Sequence, residues 1–253
     1  MSARDTNRDW SKVAEENPYW GVLSCEQFRG RELSPEARAQ FFASGEELIA
    51  NILAFARRHI DPQFRPRRSL DFGCGVGRLL IPMARVSQEA VGVDIAPSML
   101  ELTRRNLRAA GISNATAVTS DDTLSRVEGE FNFVNSFIVL QHIPPERGYG
   151  LIARLLQALA VGGIGSLQLT YAKEARFRPF DNARSRYFRR EGAITYDLVP
   201  VATTPPEGTI TMFDYDLNQL MLMVAEVAGQ PVMVLPSNHD GHMGVHMIFK
   251  KVR

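Results

Sequence analysis

Three glycines at alternate positions, Gly73, Gly75 and Gly77, lie within Leu70-Asp71-Phe72-Gly73-Cys74-Gly75-Val76-Gly77-Arg78. Between a strand and a helix, such a run lets the backbone pass close beneath a ligand without a Cβ clash. The first turn of the following helix also offers unpaired N–H groups. A dinucleotide loop would read G-x-G-x-x-G, its third glycine allowing close packing around a pyrophosphate. Here the spacing is G-x-G-x-G, with Asp71 two residues before the first glycine. A carboxylate at that place repels a pyrophosphate and suits a ligand bearing an ammonium group. About 20 residues beyond Gly73, a second apolar run ends at Asp94, where a carboxylate can accept both hydroxyls of a ribose. A third run leads into Ser120-Asp121-Asp122, where a carboxylate can take the amino group of an adenine.

Other reactive side chains are sparser. His142, in Gln141-His142-Ile143-Pro144, follows an apolar run, and a strand-tip imidazole there can take a proton near neutral pH. Wall packing is the competing reading. Cys74 between glycines reads as a small filler rather than a nucleophile. His239 and His242 flank Asp240 but lack a third well-spaced ligand, so no metal site is expected. Over residues 173–190, Lys173, Arg176, Arg178, Arg184, Arg186, Arg189 and Arg190 face only Glu174, Asp181 and the interleaved Tyr187 and Phe188. A solvated face is the plain reading. Arginine forks also suit an anionic small molecule, and stacking aromatics would admit RNA.

The elements that must position these groups alternate. The pattern predicts strands over 69–72, 90–95, 116–119, 131–137 and 164–170, with helices over 78–86, 97–110 and 145–160, the last ended by Gly162-Gly163. Strands separated by helices of this length imply a doubly wound, mostly parallel sheet covered on both faces. Upstream, Ser34-Pro35 opens one helix, and Ser44 with Glu47 has the spacing of a capping box opening a second. That gives a helical N-terminal layer over 1–60 ahead of a main domain over 61–253. Residues 172–213 show turn signals and no clean period, and form an insertion on the acceptor side. A helix over 216–228 follows, then strands over 232–235 and 245–250 joined by a loop over 236–244, an antiparallel edge pair.

Composition narrows the class. The 253 residues are 45% hydrophobic and 23% charged, which excludes a disordered or fibrous chain. A net charge of +1 excludes a global basic field for nucleic acid. Two cysteines, Cys25 and Cys74, fit a reducing compartment. No apolar run reaches membrane-spanning length, and the polar N-terminus lacks a secretory core, so a cytoplasmic location is expected.

Ammonium, ribose and adenine at successive strand tips describe S-adenosylmethionine better than a nicotinamide dinucleotide. Residues 69–170 resemble a class I S-adenosylmethionine-dependent methyltransferase through LDFGCGVGR, VGVDIAPSML, TSDDTL, FNFVNSFIVLQHIPPE and GGIGSLQLT, in that order. The resemblance implies a seven-stranded sheet with an antiparallel edge. It also implies that Gly73, Gly75 and Gly77 shape the methionine side near Asp71 and that Asp94 holds the ribose. Ile95 and Met99 would then flank the adenine, and Asp121 or Asp122 would bind its amino group. Asn132 departs from the family's usual aspartate at a structural position. Asn17-Pro18-Tyr19-Trp20 is similar to the NPPY motif of adenine-modifying methyltransferases but precedes the glycine loop and lacks the second proline, so it is rejected. The aromatics of residues 10–28 read instead as a lid over the cofactor, with Trp20 touching it.

The expected activity is O- or N-methylation of a small-molecule acceptor by in-line transfer, leaving S-adenosylhomocysteine, with His142 as the candidate base. An RNA- or protein-modifying methyltransferase using the 173–190 segment and a non-catalytic cofactor-binding partner are the alternatives.

Overall fold

The computed structural model describes residues 6–174, 212–229 and 231–253, together with the backbone of 187–191 and 194–198. Its N-terminal part holds α1 (Thr6–Glu16), α2 (Pro18–Val22) and α3 (Pro35–His59). The alternating region runs β1 (Arg68–Phe72), α4 (Leu80–Val86), β2 (Glu89–Asp94), α5 (Pro97–Ala109), β3 (Ala115–Thr119), β4 (Phe131–Ser136), α6 (Pro145–Ala158) and β5 (Leu159–Lys173). β6 (Tyr187–Glu191) and β7 (Ile194–Leu198) follow, then α7 (Leu217–Ala225), β8 (Met233–His239) and β9 (His242–Lys250).

Seven strands form one sheet in the order β3-β2-β1-β4-β5-β9-β8. The first five are mutually parallel, and β9 runs antiparallel to both β5 and β8. This is the expected doubly wound α/β sandwich with its antiparallel edge. Apolar side chains pack on both faces, as parallel strands require. On one face Leu151, Ile152 and Leu155 of α6 and Leu220 and Val224 of α7 join the sheet core. On the other, Ile49, Ile52 and Leu53 of α3 meet Phe133, Ile164 and Ile248.

Several boundaries differ from the sequence expectation. Ser44 opens no second helix, because α3 continues through it and its hydroxyl donates back to the Phe41 carbonyl at 2.6 Å. The true cap is Ser34, whose oxygen accepts from Ala37 N at 3.2 Å. Helix α6 ends before Gly162-Gly163, where the Lys251 ammonium donates to the carbonyls of Leu156 and Leu159, so both glycines fall inside β5. The expected loop over 236–244 is instead a two-residue hairpin, with Asp240 and Gly241 at φ 50° and 89° and His239 paired with His242. An Asp-Gly pair flanked by strand residues is a direct hairpin signal that the proline at 236 had obscured. The insertion, read as irregular, contains the β6–β7 antiparallel ladder. Its arginines at 176, 178, 184 and 186 lie outside the described residues, as do the side chains of Arg189 and Arg190.

Asn132 keeps a structural role. Its side-chain oxygen accepts from Arg67 N and Arg68 N, while its amide donates to the Arg65 carbonyl. An aspartate could not make that last bond.

Candidate active site

Strands β1, β2 and β4 end together, and the turns that leave them frame an open cleft whose empty space, solvent at its mouth included, is about 850 Å³. Gly73 and Gly75 form its floor. Both have left-handed φ, 76° and 53°, and a Cβ would stand 2.3 Å from Val139 at the first and 2.6 Å from Val22 at the second. Only glycine fits there, for conformational and steric reasons together. The amides of Gly73 and Cys74 both donate to the Val93 carbonyl, tying the loop to the neighbouring strand.

The predicted carboxylates divide into three environments. Asp94 lines the cleft, its Oδ2 accepting from Gly75 N and its Oδ1 from Ala96 N, each at 2.9 Å. Those bonds fix the carboxylate at the strand tip and leave lone pairs for further donors, while burial raises its pKa. Asp71 lies beneath the floor at 2% exposure and is not a lining residue. Burial pushes it up to about 7, against the opposing effects of an Asn135 hydrogen bond and the nearby Arg78 guanidinium. Its Oδ2 is buried with no hydrogen-bond partner among the described residues.

Asp121 and Asp122 line the cleft, but protein donors already engage both. Asp121 accepts from the backbone and hydroxyl groups of Thr123 and Ser125, which hold its carboxyl well below the usual range. Asp122 takes the Arg147 guanidinium in a fork, with contacts from 2.6 to 3.2 Å. Arg147 also reaches Thr6 Oγ1 and Asn7 Oδ1, joining α1 to this strand tip. Sequence reasoning missed Arg147, because no local pattern distinguishes a surface arginine on α6 from one spanning two elements.

Ile95 and Met99 line the cleft as expected, whereas Gly77 lies outside the lining and makes the turn before α4, with φ 88°. Trp20 does not line it and instead stacks under Arg29, 4.8 Å from the ring centroid. Trp10 lies at the cleft, edge-on to the His142 ring at 4.8 Å. The polar start of the chain hid α1, and with it the face that carries Trp10.

His142 lines the cleft at 7% exposure, on a 3₁₀ turn over Leu140–His142. The Tyr215 hydroxyl bridges the carbonyls of Leu140 and Ile143 at 2.9 and 2.8 Å, and Phe213 N donates to the Gln141 carbonyl. Just before the turn, Ile138 adopts φ 57°, a strained conformation for a β-branched residue. Its amide donates to Gln168 Oε1 at 2.9 Å. Cys74 is buried in the core, which pushes its thiol well above the ordinary range and leaves it a packing residue. Among the described residues, no group of three or more His, Cys, Asp or Glu could hold a metal ion.

The glycine turn that lines the cleft and the fixed Asp94, with the unsatisfied Asp71 oxygen buried behind them, fit an adenosine carrying a cationic amino-acid tail. Residues 70–163 match the protein-family model described as a methyltransferase domain. The ubiquinone biosynthesis O-methyltransferase of Methylocella silvestris is 34% identical over 82 residues, covering 32% of this chain and 32% of that one. The ajmaline N-methyltransferase of Rauvolfia serpentina is 27% identical over 149 residues, covering 56% and 50%. The chain thus spans from about a third to half the length of these curated relatives. Magnesium protoporphyrin IX methyltransferase from Synechocystis PCC 6803, solved with bound S-adenosylhomocysteine, superposes with a TM-score of 0.61 at 14% identity, over 96% of this chain and 97% of that one. Residues 70–163 are thus similar to a methyltransferase domain, and they lie within the doubly wound sheet described above. Among the described residues, no helix is long and apolar enough to cross a membrane.

Proposed function

We propose that the chain is an S-adenosylmethionine-dependent methyltransferase acting on a small-molecule acceptor at oxygen or nitrogen. The observation that carries this reading is the single cleft in which the glycine floor and Asp94 meet the Trp10–His142 wall. Asp94 accepts the ribose hydroxyls, Ile95 and Met99 flank the adenine, and Gly73 and Gly75 leave room for the methionine tail. The amino group of the adenine takes a remaining lone pair of Asp122 or Asp121. S-adenosylmethionine supplies an electrophilic methyl group on a positively charged sulfur, so the protein's own work is chiefly to orient and to exclude water. Trp10, Phe137, Ile138, Ile143 and Leu151 give the rest of the cleft an apolar lining suited to a compact organic acceptor. His142, held by the Tyr215-bound turn, receives the proton that a hydroxyl or ammonium acceptor must lose.

Relatives named for small acceptors support this assignment. The arginine-rich insertion suggests that the acceptor carries negative charge. The test is incubation with methyl-labelled cofactor and a cell extract. Label in a low-molecular-weight product supports the proposal, whereas label only in RNA or protein overturns the acceptor class. Binding of S-adenosylhomocysteine without any transfer would leave a cofactor-binding partner instead.

A further inference from the structure

A file of four buried polar side chains crosses the sheet beneath the cleft, one from each of the adjacent strands β1, β4, β5 and β9. Asn135 Nδ2 donates to Asp71 Oδ1 at 3.1 Å. Ser166 Oγ donates to Asn135 Oδ1 at 3.0 Å, and His246 Nε2 stands 2.8 Å from Ser166 Oγ. Asp71, Asn135, Ser166 and His246 are 2%, 0%, 0% and 8% exposed. Strand alternation puts them on the α3-covered face, where their neighbours are Phe133, Ile164 and Ile248.

With Asp71 ionised, the chemistry of the groups fixes the direction of every bond. A carboxylate only accepts, so the Asn135 amide nitrogen must face it, and the Asn135 oxygen then takes the Ser166 hydrogen. The Ser166 oxygen is left to accept, so His246 is the neutral tautomer that carries its hydrogen on Nε2. Burial holds His246 down to about 4, which keeps that neutral form at ordinary pH. All three donors therefore point the same way, and aligned hydrogen bonds polarise one another. Buried polar groups are costly unless they are hydrogen-bonded, and these three are bonded in a line that ends on the one carboxylate that the glycine loop covers.

We propose that His246, Ser166 and Asn135 are positioning residues that hold Asp71 as an oriented negative charge under the glycine loop, for the cationic tail of the cofactor. The inference rests on the cofactor reading above and adds the three residues that act through Asp71. None of the three lines the cleft.

The experiment compares two ligands that share the adenosine part. S-adenosylhomocysteine carries the ammonium-bearing tail and 5′-methylthioadenosine lacks it. Calorimetry on Ser166→Ala should show affinity for S-adenosylhomocysteine falling about tenfold while that for 5′-methylthioadenosine changes less than about twofold. His246→Phe should shift the balance in the same direction, whereas His246→Gln, which keeps an N–H donor, should preserve the wild-type ratio. A purely structural role would weaken both ligands together, and that result overturns the proposal. So does a wild-type ratio in both Ser166→Ala and His246→Phe. Wild-type protein that binds neither ligand would overturn the cofactor reading itself, and the proposal with it.

Discussion

At the residue scale, Asp94 is a scaffold carboxylate that keeps lone pairs open to the cleft, as the proposed ribose contact requires. Two backbone amides fix its oxygens, so the geometry it offers the cleft is set in advance. Asp94→Ala should weaken S-adenosylhomocysteine binding by about 1–3 kcal/mol, the scale of a lost charge-assisted hydrogen bond. Unchanged affinity in calorimetry would contradict the ribose assignment. His142→Ala should slow labelled-methyl transfer at saturating cofactor by about 10²-fold or more if the imidazole takes the proton. An unaltered rate would reduce His142 to a wall for Trp10. Much of this layer was legible in the sequence, because glycine spacing and strand-tip acids follow directly from what a backbone turn permits. The roles of Asp121 and Asp122 were less legible. Asp121 is taken up by a local turn with Thr123 and Ser125, whereas the partner of Asp122, Arg147, depends on how elements meet in space. Trp10 was displaced from view for a similar reason, since the polar residues around it conceal α1.

At the scale of elements, the alternation of strands and helices was plain, and the junctions were not. The expected break at Ser44 failed because a capping-box spacing marks a helix start only if the chain before it is non-helical. Here Gly45 instead admits the Arg78 backbone against α3, where a Cβ would lie 2.2 Å from the carbonyl oxygen. The turn bearing His142 depends on a different kind of junction. Tyr215 reaches it from a segment more than 70 residues later in the chain, and Gly148 leaves room for that hydroxyl. Tyr215→Phe should therefore cost about 1 kcal/mol of stability in denaturant titration. It should also lower turnover while leaving S-adenosylhomocysteine affinity intact, because the glycine floor lies on another strand. Loss of cofactor affinity would show that the turn and the floor are not separable.

For the whole molecule, the buried acids set the dependence of folding on pH. Asp71 titrates at about 7 in the fold against 3.8 ordinarily, and Asp94 is raised as well. Between those values the native chain holds a proton that the unfolded chain has released, so stability falls as pH rises through that window. The Asp71 contribution is at most about 4 kcal/mol. Asp121, held low, contributes stability that is lost only as pH falls through the acid range below that window. His246, held down to about 4 by burial, acts in the opposite sense between that value and 6.5, so the Asp71 effect is read by difference. In chemical denaturation, ligand-free wild type should lose stability between pH 5 and pH 7.5 relative to Asp71→Asn. Saturating S-adenosylhomocysteine should restore stability at the higher pH, since an ammonium would pair with the ionised carboxylate. A wild-type profile parallel to that of Asp71→Asn would show that Asp71 is solvated or paired more fully than the structure shows.

The segment between β5 and α7 leaves and rejoins the sheet at a single place. Thr170 Oγ1 donates to the Phe213 carbonyl, Tyr215 N donates to the Thr170 carbonyl, and the Lys173 ammonium meets Asp214 at 2.9 Å in a buried pair. Exit and re-entry are thus buttoned together, and what lies between them can change in length or sequence without disturbing the strands. Such a seam isolates the excursion mechanically from the strands that carry the cleft. Replacing residues 176–210 with a short glycine-serine linker should leave cofactor binding within about twofold and abolish transfer to the native acceptor, as calorimetry and the labelled-methyl assay would report.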